Sequence, residues 1–197
     1  MRVRPAVRSD LAKLASCDYS FPITEVALGP FDREKVSDRT IDVPPHRKTY
    51  DFSSEALGGH LERPEHQLFV AEEIVGQPVG YAAASVAWNR FVSVDDLAID
   101  AANRRAGAGR RLMDIVVAWA DRMKAPGLRL ETQANNVAAC RFYESYGFVL
   151  GGHDRHLYAG MVANAHEVAL FWYFFFGAPI EMNGGPADHA RDSSPSG

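Results

Sequence analysis

Cysteine is scarce in this chain, and no apolar run is long. Two cysteines in 197 residues, Cys17 and Cys140, cannot build a disulfide framework or a thiolate metal cluster, which fits a reducing compartment. The longest apolar stretch, VALFWYFFF at 168–176, falls short of the ~20 residues a membrane-spanning helix needs. It reads instead as a strand buried on both faces. The first residues, MRVRPAVRSD, are charged at once and lack the apolar centre of a secretory signal. A positive excess is missing too, since 21 Lys and Arg stand against 25 Asp and Glu, for a net charge of −4. Neither a nucleic-acid nor a membrane partner is expected, and the mild acidic balance suits a cationic one. Seven histidines are present, but none shows H-x-x-x-H spacing with partners, and His153 and His156 have opposite parity along one strand. They are expected at the surface, with no metal. What remains, 47% hydrophobic and 23% charged, is the composition of one soluble, cytoplasmic domain.

The pattern along the chain alternates strands and helices. RVRPAV (2–7) reads as a strand and SDLAKLASC (9–17) as a helix capped by Ser9 or Asp10. Residues 19–65 carry Pro22, Pro30, Pro44, Pro45 and Pro64 and little periodicity, which predicts loops with one or two short helices, one near 53–61. From Gln67 the signal sharpens into strands at 67–74, 79–88 and 91–100, with a turn at GQP (76–78). In the third, alternation divides Ser93, Asp95, Leu97 and Ile99 from Val92, Val94, Asp96 and Ala98. A helix follows over 110–123, with the stripe Leu112, Ile115, Val116 and Trp119, then a strand at 128–133. The next helix, 136–146, is stopped by Gly147, and strands at 148–158 and 167–176 complete the set. The domain spans 1–178; residues 179–197, rich in Gly, Pro, Ser and Asp, read as a disordered tail.

Between the third of these strands and its helix lies NRRAGAGRRL (103–112). A helix N-terminus carries unpaired N–H groups and partial positive charge, so glycines there let an anion approach the backbone. Flanking arginines add charge-assisted contacts to phosphate. The stretch is not a P-loop, which needs Lys-Ser/Thr where Arg110 and Arg111 stand, nor a dinucleotide fingerprint, because Leu112 occupies the third glycine.

The strand VDDLAI, then R-x-x-G-x-G (Arg104, Gly107, Gly109), a helix, a strand, and N-x-x-A-x-x-x-Y-x-x-x-G-F (Asn136, Ala139, Tyr143, Gly147, Phe148) resemble the GCN5-related N-acetyltransferase superfamily over roughly 65–176. The resemblance implies an α+β fold: a mixed, mostly antiparallel sheet of six to seven strands flanked by helices and splayed between the fourth and fifth. It implies acetyl-CoA as co-substrate and no metal. Leu97, Ala98 and Ile99 would pair with the pantetheine, and Arg104, Arg105, Ala106, Gly107, Ala108, Gly109 and Arg110 would cradle the pyrophosphate. Asn136 would reach the pantetheine arm. The stretch LETQANNVAACRFYESYGFVLGGHDRHLY and the strand EVALFWYFFF are similar to the streptothricin N-acetyltransferases, resistance enzymes that acetylate the antibiotic's β-lysine moiety. A small cationic amine is therefore the expected substrate, 19–65 the variable acceptor segment, and a homodimer stays open. The alternatives are another acceptor, such as a protein N-terminus, a lysine or a different amine antibiotic, and a non-catalytic acetyl-CoA-binding module.

Acetyl transfer to an amine needs a neutral amine and a proton for the leaving thiolate. Tyr143 stands at the family's proton-donor position. Asp95 and Glu131 are the candidate bases, either of which is otherwise a hydrogen-bonded strand residue, and two carboxylates in one cleft would attract a cationic amine. By strand parity Asp96 points away and is structural. Cys140, one turn before Tyr143, reads as a small buried residue and not as a nucleophile.

Overall fold

The computed structural model describes residues 1–32 and 35–177; the expected disordered tail lies outside them. Seven strands lie side by side in the order β1 (Arg2–Pro5), β4 (His66–Ile74), β5 (Gln77–Val86), β6 (Val92–Ile99), β7 (Gly127–Gln133), β9 (Ala169–Phe175) and β8 (Val149–Asp154). Every neighbouring pair is antiparallel except β6–β7, which is parallel. The helices α1 (Asp10–Leu14), α2 (Ser54–Gly59), α3 (Ala108–Arg122) and α4 (Val137–Tyr146) flank this sheet. None of the described helices is long and apolar enough to cross a membrane.

Strand alternation divides the apolar residues between two layers. Phe69 and Ala71 of β4 face the larger cluster, with Leu112, Met113 and Val116 of α3, Leu128 and Leu130 of β7 and Trp172 of β9. Leu68 and Val70 face the smaller one, under Leu11 and Leu14 of α1 and Leu57 of α2. Each fully buried aliphatic side chain contributes about 1.5–3 kcal/mol, so β4, buried on both sides, ties the layers together. In β9, Leu170 and Trp172 are fully buried against the helices, whereas Phe171, Tyr173 and Phe175 stay half-buried. The strand is thus less enclosed than its composition suggests; on its far face Tyr173 and Phe175 pack against Phe91 and stay partly open.

The segment 19–65 is more ordered than its prolines predict. It contains the hairpin β2 (Phe21–Ala27) and β3 (Thr40–Lys48) as a separate two-stranded sheet, and the short helix α2, whose Ser53 hydroxyl accepts from the Ala56 amide. Both strands of such a ribbon are edge strands, where proline is tolerated. The register slips between the pairs Ile23–His46 and Glu25–Asp42, so Pro44 and Pro45 fall in the gap of the ladder. The ribbon is pinned beside α4 by the Ala27 amide donating to the Ala134 carbonyl at 2.9 Å, by Arg141 Nη2 and Glu25 Oε2 at 2.9 Å, and by Lys48 and Glu167 at 2.6 Å.

The feature that positions the site is where the sheet opens. β6 and β7 pair only at Val92–Leu128 and Ser93–Arg129 and then diverge. These are the fourth and fifth strands in spatial order, where the splay was expected.

Candidate active site

Beyond Ser93 the free edge of β6 and the end of β7 line a cleft of about 770 Å³. Its floor includes Leu97, Ala98 and Ile99, and its walls come from the α3 and α4 N-termini, Tyr19, Phe21, Tyr50 and Asp51. An extended ligand can add to the unpaired β6 backbone as a strand would.

The loop after β6 is stitched to the start of the variable segment. The Asp18 amide donates to Asp100 Oδ1 at 2.9 Å, and the Ala101 amide to the Asp18 carbonyl at 2.7 Å. Arg104 gives Nε to Ile99, Nη1 to Ser20 and Nη2 to Tyr19, all carbonyls, at 3.0, 2.7 and 2.9 Å. Expected as a phosphate contact, Arg104 is instead occupied in holding the cleft wall, although it lines the cleft. Gly107 caps α3 at φ +85°, a left-handed conformation in which a side chain is strained. Gly107, Ala108 and Gly109 open onto the cleft between exposed Arg105 and Arg110, while Ala106 does not line it. A helix start with free amides, a left-handed glycine and two exposed arginines fits a pyrophosphate.

On α4, Asn136 Oδ1 accepts from the Ala139 amide at 3.2 Å, which caps the helix and leaves the side-chain amide as a donor to the cleft. Gly147, at φ +110°, ends the helix as its sequence position implies. Tyr143 is buried among Phe142, Phe148 and Trp172 yet reaches the cleft, and burial raises its phenol well above the ordinary range. It therefore stays protonated at neutral pH. Burial likewise pushes the Cys140 thiol up to about 12, which suits a packing residue and not a nucleophile.

The acidic residues depart from the parity expectation. The β5–β6 ladder slips between Ala83 and Ala84, so Val94 faces Ala84, Asp96 faces Ala83, and Asp95 is the extra residue of a bulge. Beyond the bulge Leu97 and Ile99 rejoin Val92 and Val94 against the larger core, not the face of Ser93 and Asp95. Asp96, expected to point away, lines the same cleft as Asp95 and accepts from the Tyr81 hydroxyl at 2.5 Å. Burial raises its carboxyl, against that hydrogen bond.

Asp95 Oδ2 lies 3.0 Å from His60 Nε2, and His60 Nδ1 lies 3.2 Å from the Ala56 carbonyl. Both partners are acceptors, so the charged ring, which donates from both nitrogens, is the form that satisfies both contacts, and the Asp95 hydrogen bond raises its pKa. Burial pushes the Asp95 carboxyl up, but His60, Ser85 and Ser93 together hold it below its usual range. Glu131 behaves oppositely. Partial burial raises its carboxyl, with nearby Glu167 adding to the effect, against a hydrogen bond from the Tyr158 hydroxyl and the charge of Lys48. Gln133 Nε2 donates to that hydroxyl at 2.8 Å, and Gln133 Oε1 accepts from Tyr50. Sequence reasoning missed His60, Tyr50, Tyr158 and Gln133, because no spacing announces three loop or helix-end residues and one strand-end residue assembled by tertiary contact.

A splayed sheet with an anion-binding helix start, a capped second helix and a buried tyrosine between them defines an acetyltransferase. Residues 33–148 match the acetyltransferase (GNAT) family, and the chain belongs to it. It is an enzyme of that family, with acetyl-CoA as its co-substrate. The chain is similar to the streptothricin acetyltransferase of Escherichia coli, 33% identical over 142 residues, 71% of this chain and 76% of that protein. A Bacillus anthracis protein solved with acetyl coenzyme A bound, a candidate streptothricin acetyltransferase, superposes with a TM-score of 0.77 at 31% identity over 89% of this chain and 97% of that one. A nourseothricin acetyltransferase gives 0.74 at 29% identity over 88% and 97%.

Proposed function

We propose that the enzyme acetylates a primary amine of a small polycationic molecule, the β-lysine moiety of streptothricin, by direct transfer from acetyl-CoA in a ternary complex. The observation that carries the reading is the polarity of the cleft. Arg105 and Arg110 stand at the α3 end, and Asp51, Asp95, Asp96 and Glu131 at the other. An anionic co-substrate and a cationic acceptor are thereby drawn to opposite ends of one space. The similarity to streptothricin and nourseothricin acetyltransferases supports the same acceptor class.

Acetyl-CoA supplies an activated acyl carbon on the β6 edge. Glu131, whose carboxyl sits above the usual range, is the better matched base and takes a proton from the acceptor ammonium, directly or through water. Asp95, already paired with His60, is a poorer base and orients the cationic acceptor. Tyr143 hydrogen-bonds the departing sulfur and gives it a proton, and the second proton lost by the newly acylated nitrogen restores the phenol. Burial makes the phenol a weaker acid, but it disfavours a thiolate in the same space equally. The inert Cys140 supports transfer without an acyl-enzyme.

Thiol release across an amine panel tests the reading. Streptothricin should show the highest kcat/KM, with intersecting initial-velocity lines for a ternary complex. A protein N-terminus or lysine peptide preferred over streptothricin, or parallel lines, would overturn it.

A further inference from the structure

His60 ends α2, His66 opens β4, and Asp95 is the bulged residue of β6, so three separate elements bring these side chains together. One potential ligand atom from each lies within 4.8 Å of the other two. The two imidazole rings meet edge to face with centroids 5.0 Å apart. His66 Nδ1 is shielded from solvent and pairs with nothing among the described residues. A buried ring nitrogen without a partner is uncommon and asks for an explanation. The contact of His60 Nδ1 with the Ala56 carbonyl is of the kind that orients a metal-binding histidine, and it turns Nε2 toward Asp95.

We propose that His60, His66 and Asp95 form a binding site for a divalent ion of the zinc class. Two imidazoles and one carboxylate suit such an ion better than magnesium or calcium, which prefer oxygen donors. Bonds of about 2.0–2.2 Å place tetrahedral ligands roughly 3.4 Å apart, so small rotations of the rings close the set, with water in the fourth position. The ion takes the place of the proton between His60 and Asp95, which leaves to solvent. It joins α2, β4 and β6 and, by replacing one proton with a divalent ion, adds one positive charge beside Asp95 at the acidic end of the cleft. Acetyl transfer does not use it. The ion opposes capture of a cationic acceptor, a consequence that rests on the acceptor reading above, whereas the binding itself does not.

The test is calorimetric titration of chelator-treated full-length protein with zinc chloride, without acceptor, and with cobalt(II) as a spectroscopic probe. One ion should bind, with cobalt bands of low coordination number. His66→Gln, checked for folding by circular dichroism, should weaken binding roughly tenfold or more, and His153→Gln should not change it. His60→Gln replaces His66→Gln if the latter does not fold. Zinc should raise the acceptor KM of the wild type but not that of His66→Gln, with acetyl-CoA affinity unchanged in both. Absence of one-site binding, or equal affinity in wild type and His66→Gln, overturns the site. A failure of streptothricin as acceptor leaves the calorimetry untouched, so the two readings fail separately.

Discussion

Replacing Tyr158 by Phe removes one hydroxyl from a buried ring and tests how Glu131 is tuned. That hydroxyl donates to the Glu131 carboxylate, while burial, helped by Glu167, pushes the carboxyl the other way. A hydrogen bond to a charged group contributes about 1.5–3 kcal/mol. Glu131 is open to cleft water, so the lower end applies, and at about 1.4 kcal/mol per unit its loss raises the carboxyl pKa by about one unit. A base acts only when deprotonated. The acid limb of kcat/KM should therefore move to higher pH by about one unit, with turnover at alkaline pH nearly restored. The assay is thiol release over a pH series at saturating acetyl-CoA. A limb that stays in place, or moves to lower pH, refutes the role of Glu131 as base or of Tyr158 as its partner.

Gly109→Val places a Cβ at ordinary contact distance from Phe142, 3.6 Å from its Cζ, so the fold should survive. The bulk added to the helix start should weaken acetyl-CoA binding about tenfold or more, read by calorimetry. Tyr143→Phe keeps the aromatic packing and should lower kcat about a hundredfold at unchanged acetyl-CoA affinity, measured under single turnover. Lys48→Ala removes the charge partner of Glu167, whose side chain is only 6% exposed and keeps Asn135 Nδ2 as a donor, and should cost roughly 3 kcal/mol in denaturant unfolding. Asp95→Asn should raise the acceptor KM and blunt its salt dependence without moving the acid limb.

Much of the scaffold was legible because it follows local rules. The strands β4 to β6 stand out as apolar runs separated by turn residues, α3 starts at a left-handed glycine, and α4 runs from the Asn136 cap to Gly147. Strand parity failed where one residue was inserted. The bulge at Asp95 turned Asp96 into the cleft and Leu97 toward the larger core, and a period of two contains no warning of it. The β2–β3 ribbon was hidden by prolines that only edge strands accept. His60 and Tyr158 acquire their partners across 35 and 27 residues of sequence. Arg104 looked like its arginine neighbours, and only the nearby carbonyls of Tyr19 and Ser20 give it a different task.

The most direct test of the account is to locate the acetyl group on the product. Streptothricin incubated with the enzyme and acetyl-CoA should gain one acetyl group, placed by fragmentation mass spectrometry on an amine of the β-lysine moiety. Glu131→Gln should form the same product far more slowly at neutral pH. Streptothricin recovered unmodified by an enzyme that binds acetyl-CoA, or acetylated outside the β-lysine moiety, would contradict it.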